Sequence, residues 1–243
     1  MERAPTFRAV SIQGWHDLTF LHWAYPPDVV QALLAPGLRV HTAEGSAWVG
    51  VTPFRMHAVR PVGLPPVPHL SSFPEVNCRT YVQHPNGTAG IWFFSLDTPR
   101  LWIIAALRSM GLPYMWARAR MGVDPPGQPV ARRAAYLSRR LLPRPGGSQA
   151  PGMRVEVEVG RRLDRPDPLA VFLTARWWAF TSRAGRLWQV PVAHPDWPLH
   201  RARAVVVDVG ALVRAAGLPA PQAAALVHFS PGVRTRLGLP RES

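Results

Sequence analysis

The pair Asn86-Gly87 constrains this chain more than any other feature, because it makes the backbone reverse between two strand-forming runs. Cys78 to Gln83 and Ile91 to Leu96 carry β-branched and aromatic residues, and Asn-Gly accepts positive φ at both central positions of a tight turn. The expectation is an antiparallel hairpin with Glu75 and Arg79 at its entrance, opposite charges in apolar and aromatic surroundings. A carboxylate desolvated there has a raised pKa and can act as a general acid or base. The competing reading is structural: Arg79, four residues on and on the same strand face, forms an ion pair with Glu75.

Further elements follow from local pattern. Leu18–Ala24 reads as a buried strand, and Pro26-Pro27-Asp28 opens a short helix through Leu34 that Gly37 closes. Leu38–Thr42 and Ser46–Met56 read as strands around Ala43-Glu44-Gly45, and the proline-rich stretch 61–74 reads as a loop. Thr98-Pro99 offers an N-cap and N1 proline for a helix to about Met110. Met153–Val159 alternates strictly, as a half-solvated antiparallel strand does. A helical turn at 169–175, a hairpin of Arg176–Thr181 with Arg186–Val192, a strand at Ala202–Val209 and a helix at Ala211–Ala216 precede a strand pair, Leu226–Leu237, bent at Pro231-Gly232. Gly122 to Pro129 and Pro143 to Gly152 read as loops, and the region between them fits helix and strand equally. No repeat or composition break divides residues 1–243, which reads as a single domain.

Composition excludes more than it identifies. All 28 basic residues are arginine, because the chain holds no lysine. The net charge of +14 attracts polyanions, with much of the excess between Trp116 and Arg165, including Arg118, Arg120, Arg132, Arg133, Arg139, Arg140, Arg144, Arg161 and Arg162. No zinc-finger, helix-turn-helix or aromatic RNA-binding pattern accompanies that charge, so no specific nucleic-acid partner is expected. LWIIAAL is the longest apolar window and is far too short to span a bilayer. The start, MERAPTFR, has no apolar signal core, so cytoplasmic residence is expected. One cysteine, Cys78, excludes an internal disulfide and a cysteine-rich zinc site. His16, His22, His194 and His228 could in principle meet at a metal, but no close His-x-His or His-x-x-x-His pair exists, and no metal or cofactor is expected. Nucleophile-elbow and phosphate-loop patterns are lacking.

The segments LHWAYPPDVVQALLAPGL, AWVGVTPFRM, FPEVNCRTYV, GIWFFSLD, LPYMWARARM, HPDWPL and HFSPGV occur in this order over almost the whole chain. Together they resemble the YqjF-like bacterial family, a domain of unknown function related to acetoacetate decarboxylase. The resemblance implies an α+β, mainly antiparallel fold: an acetoacetate-decarboxylase-like curved barrel or cone around a central cavity, with peripheral helices. In acetoacetate decarboxylases a lysine forms an imine with a keto acid. That lysine follows a proline in a segment resembling Leu112 to Met115, which puts Tyr114 at its position. The family's functional glutamate matches Glu75, its substrate-orienting arginine falls near His16, and a further pocket glutamate falls near Val49. An imine needs a primary amine, which Tyr114 does not have, so Schiff-base decarboxylation is excluded at this position.

The resulting expectation is a protein that binds a small organic acid or carbonyl compound. Glu75, Tyr114 and His16 are the candidate catalytic groups, and Arg79, His22, Trp92 and Arg55 the candidate ligand contacts. Any reaction would be that of a lysine-independent lyase, hydratase or isomerase, because Glu, His and Tyr suffice for proton transfer. Membrane association is not expected, and a homo-oligomer is compatible with the sequence. The alternative is a non-catalytic interaction protein that binds an acidic partner or polyanion through the Arg-rich 118–165 segment.

Overall fold

The structure, a computed structural model, describes residues 5–127, 132–141 and 150–243. The first half runs β1 (Ser11–Tyr25), α1 (Pro27–Gln31), β2 (Arg39–Val40), β3 (Ala47–Pro61), β4 (Phe73–Gln83), β5 (Ala89–Thr98), α2 (Leu101–Arg108) and β6 (Tyr114–Val123). The second half runs β7 (Arg132–Arg140), β8 (Gly152–Arg162), α3 (Pro168–Thr174), β9 (Trp178–Arg183), β10 (Arg186–Ala193), β11 (His200–Asp208), α4 (Gly210–Ala215), β12 (Leu226–Leu237) and β13 (Arg241–Glu242).

All these strands belong to one sheet that closes on itself twice. The order β5-β6-β7-β8-β11-β12-β1-β3-β4 returns to β5 through the β4–β5 ladder, which makes a closed nine-strand circuit. A shorter circuit passes from β5 through β9 and β10 to β12 and shares β12, β1, β3, β4 and β5 with the first. The forks have a simple origin. One edge of β5 pairs in parallel with β9 near Ile91 and with β6 near Leu96 to Thr98. One edge of β12 likewise serves β11 near His228 and Phe229, and β10 near Arg236 and Leu237. Apart from the two parallel pairings of β5, every ladder is antiparallel, as expected of this fold class.

Because successive strand residues point to opposite faces, the shared wall of β1, β3, β4 and β12 serves two cores. Leu21, Val49, Val51, Val76, Cys78 and Phe229 pack with Tyr136, Val155 and Val157 inside the nine-strand circuit. Leu18, Phe20, Phe54, Met56, Phe73 and Val233 face the other way, against Leu96, Tyr114, Ile103, Ile104 and Trp197.

Several elements differ from the sequence expectation. The hairpin forms, but its turn runs from His84 to Thr88: Gly87 N–H bonds to His84 O, and only Gly87 of the pair has positive φ, at 88°. Pro85 has its φ pre-set for the first central position of an ordinary turn, which leaves Gly87 as the left-handed residue. Thr98 does not cap α2; it ends β5, and Arg100 occupies the N-cap. The segment Leu226–Leu237 is one continuous strand and not a pair, with the expected irregularity at Gly232, whose φ is 127°. Residues 132–140 are strand, and β6, unmarked by alternation, joins β5 through the crossover helix α2.

Candidate ligand site

Glu75 lies inside β4, opposite Phe54 of β3, and not at the entrance of the hairpin. The strand begins two residues before it, and its side chain is 3% exposed. The Tyr114 hydroxyl donates to Glu75 Oε2 at 3.1 Å, so the pairing expected from the family resemblance is realised. Burial pushes the Glu75 carboxyl up to about 8, against the pull of the Tyr114 hydrogen bond and with a further push from Asp97. Glu75 therefore holds its proton at neutral pH. Burial, and then the neighbouring Glu75, keep the Tyr114 hydroxyl protonated as well. The space beside Glu75 is about 10 Å³, enough for about one water molecule. Among the described residues that space is smaller than the central cavity expected there.

Arg79 is on the same face of β4 but forms no ion pair with Glu75. Residues i and i+4 of an extended strand are separated by about 13 Å, beyond any salt bridge. The Arg79 guanidinium lies over the rings of Phe20 and Tyr81, 5.5 and 5.9 Å from their centroids, and donates to Leu173 O at 3.3 Å. Among the described residues no carboxylate pairs with it. His22 of β1 is fully buried beside it, with Nε2 2.7 Å from the Tyr81 hydroxyl. Burial, then the charge of Arg79, hold the His22 imidazole well below its usual pKa.

Sequence reasoning missed the roof of this cluster. Asp167 caps α3 by accepting from Ala170 N–H at 2.7 Å, and Pro168 fits its first turn. The helix ends over Arg79 and Tyr81, and the Tyr81 hydroxyl donates to Leu173 O at 2.5 Å. Beyond it, Arg176 lies 4.1 Å from the Phe172 centroid and 5.3 Å from that of Tyr81. Phe172, Arg176, Trp177, Trp197 and Leu163 line a cavity of about 510 Å³, within the usual range for a small-molecule site. Trp197 packs against Phe20 and His194, and its Nε1–H donates to Thr174 O, which connects the cavity wall to the layer around Arg79. The signal in the sequence was HPDWPL, which the family resemblance used but no chemistry explained. A second cavity of about 470 Å³, beside β11 and residues 221–225, has two ionisable residues, Arg203 and Asp208, both exposed.

The other candidates lie elsewhere. His16 faces His57, with ring centroids 5.2 Å apart, and no described contact joins it to Glu75 or Tyr114. Asp17 at φ 53° and a register shift between His16 and Leu21 break the alternation that would align His16 with His22. Arg55 is half-exposed and pairs with Asp17 at 3.5 Å. Trp92 packs with Leu38, Val82 and Phe180 in a separate cluster. In the Arg-rich segment Arg118, Arg120 and Arg139 are exposed on β6 and β7, Arg140 is buried, Arg133 pairs with Glu158, which Arg203 also contacts, and Arg154 pairs with Glu156. Arg144 lies outside the described residues. Among the described residues no three His, Cys, Asp or Glu side chains gather at a common metal position, and no helix is long and apolar enough to cross a membrane.

A doubly closed, mainly antiparallel sheet with a few short helices is an acetoacetate-decarboxylase-like architecture. The acetoacetate decarboxylase-like enzyme from Sphingomonas wittichii RW1 superposes with a TM-score of 0.65 at 16% identity, covering 98% of this chain and 94% of that one. The enduracididine biosynthesis enzyme MppR complexed with pyruvate gives 0.67 at 14% identity, covering 98% and 91%. Within that fold, the chain belongs to the DUF2071 family of uncharacterized conserved proteins (COG2071), whose profile matches residues 12–234. The uncharacterized protein YqjF of Bacillus subtilis (strain 168) is 30% identical over 219 residues, 90% of this chain and 86% of that protein.

Proposed function

We propose that this protein binds a small organic acid or carbonyl compound on the face of the shared wall that carries Glu75 and Arg79, opposite the nine-strand core, with Arg79 as anion anchor and Glu75 as acid/base group held by Tyr114. The observation that carries the reading is Arg79, a buried guanidinium with no carboxylate partner among the described residues. An arginine fork matches a carboxylate in two parallel hydrogen bonds, and an unpaired buried charge is costly unless a ligand completes it. The pyruvate complex of one fold neighbour supports a ligand of this class. Glu75, protonated up to about pH 8, has a proton to give, as a lyase, hydratase or isomerase requires. The lysine-free sequence restricts such chemistry to routes without an imine.

Two measurements on the purified chain test this. Pyruvate or acetoacetate should raise the melting temperature in a saturable way, and Glu75→Gln should abolish that stabilisation or any turnover while leaving the fold intact. Borohydride treatment with either acid should leave the intact mass unchanged. Absence of stabilisation by both acids, or a reduced adduct away from the N-terminus, overturns the reading.

A further inference from the structure

The hydrogen bonds around Tyr81 fix the tautomer of His22. A tyrosine hydroxyl has one proton, and Leu173 O, a carbonyl, can only accept. The Tyr81 proton is therefore committed to Leu173 O. The 2.7 Å contact between Tyr81 and His22 must then be donated by Nε2–H of the imidazole. That leaves Nδ1 of His22 as a lone pair, buried and without a protein partner among the described residues.

This lone pair belongs to a patterned surface. Arg79 Nε, Asn77 Oδ1, Thr52 Oγ1 and His228 Nδ1 are also buried without protein partners, and their residues lie on the shared wall of β4, β3, β12 and β1. In the ladder, His22 is opposite Gly50, and Gly50 is opposite Arg79. A Cβ at Gly50 would stand 3.0–3.1 Å from the His22 ring and 3.5 Å from Arg79 Cγ, so the absence of a side chain there lets imidazole and arginine stem approach each other. Native interiors rarely leave polar atoms unpaired, so this cluster needs partners from outside the chain, ordered water or a bound molecule.

We propose that His22 Nδ1 is the base for proton removal from the carbon next to the carbonyl of a 2-oxo or 3-oxo acid anchored by Arg79. The inference rests on the binding reading above and adds to it the reaction and the base. In the step, the C–H bond breaks and its proton goes to Nδ1. The electron pair moves to the carbonyl oxygen as an enolate, and the Arg79 N–H groups stabilise the charge. Return of a proton from the imidazolium to the same or the conjugate position closes the cycle, with no oxidant or reductant needed. Burial, and then the charge of Arg79, depress the basicity of His22 in the free protein. A ligand carboxylate cancels that charge, so anion binding itself strengthens the base. Tyr81 is a positioning residue, because it holds the tautomer and touches no substrate atom.

The test follows deuterium incorporation into the methyl group of pyruvate by NMR, with pyruvate affinity measured in parallel by thermal shift. The intact protein should accelerate exchange saturably, and His22→Gln should slow it about 100-fold or more while pyruvate still binds. Tyr81→Phe should slow exchange with affinity kept within about twofold, a split that a purely structural role does not give. Binding without accelerated exchange overturns the assignment and leaves the binding reading standing. So does a wild-type rate in His22→Gln, and exchange lost in Glu75→Gln but kept in His22→Gln moves the base to Glu75. If pyruvate neither binds nor exchanges, both readings fall.

Discussion

The two sides of the shared wall treat buried charge in opposite ways. Inside the nine-strand circuit, the Asp97 carboxylate is fully buried and Arg140 grips it with Nε 3.1 and 3.0 Å from its oxygens and a second nitrogen at 2.9 Å. That second nitrogen also donates to Ser95 Oγ at 2.6 Å. The surroundings are aliphatic, with Cys78 buried and its thiol pushed up to about 12, which makes it unreactive. On the opposite face Arg79 has no counter-charge among the described residues, Glu75 holds its proton, and the side chains of His22, Asn77 and Thr52 each leave an atom unpaired. Polarity with its partners supplied by the chain serves architecture. Polarity left incomplete on a rigid wall is what the proposed ligand site requires.

The largest effect that could break this comparison is on the completed side. Arg140→Met should cost about 3–5 kcal/mol, because it strands the Asp97 carboxylate in an apolar core. Chemical denaturation at neutral pH measures it. Burial already pushes the Asp97 carboxyl up, with the hydrogen bonds and charge of Arg140 pulling the other way, so the variant should recover part of its loss at acid pH. A loss below about 1 kcal/mol would mean that the pair is no more structural than an exposed salt bridge.

The next effect is a pH dependence. Glu75 keeps its proton in the folded chain up to about 8, whereas an ordinary glutamate loses it near 4.5. Between those values the unfolded state binds fewer protons, so stability falls as pH rises from 4.5 to 8 and is level outside that window. The span is on the order of a few kcal/mol. Glu75→Gln, which carries no titrating proton, should flatten this part of the profile in urea denaturation run at several pH values. A variant with the same slope as the intact chain would show that another group causes it.

How much of this was legible in the sequence follows from the physics of each element. The β4–β5 hairpin, α3, the β9–β10 hairpin, β11 and α4 carry local signals: strand-forming runs, turn residues, caps. β6 does not, because its pairing with β5 is parallel and set by a crossover helix, a non-local arrangement that alternation does not encode. Glu75 and Tyr114 were singled out through the order of family motifs, and the structure brings them to 3.1 Å from each other. The shared strand face of Glu75 and Arg79 was read correctly, but their ion pair was not, because four residues of an extended strand span about 13 Å. His16 was misplaced by the kink at Asp17, a positive-φ aspartate that no local motif announces. The Arg79, His22 and Tyr81 cluster with Arg176 unites β1, β4 and the segment after α3, so it exists only once the sheet closes.

The smallest effect is the sharpest test of the contrast. Arg79→Met keeps the length and much of the volume of the stem over Phe20 and Tyr81, and removes a charge that the chain itself does not neutralise. Replacing a buried ion by an apolar group of similar shape is commonly neutral or stabilising. Against that gain stand the loss of the 3.3 Å donation to Leu173 O at the end of α3, worth about 1 kcal/mol, and of the hydrogen bond to the Tyr81 hydroxyl. The expected change in unfolding free energy is therefore within about 1 kcal/mol of zero, in contrast to the several kcal/mol lost in Arg140→Met. Removing the charge of Arg79 should also let His22 bind a proton more readily, because Arg79 is the second cause of its lowered pKa after burial. NMR titration of the His22 imidazole in the variant should show its midpoint moved upward. Stabilisation by pyruvate should vanish at the same time, since the anchor is gone. A loss in Arg79→Met as large as that in Arg140→Met would mean that the carbonyl end of α3 already completes the guanidinium, and the two faces of the wall would then be alike.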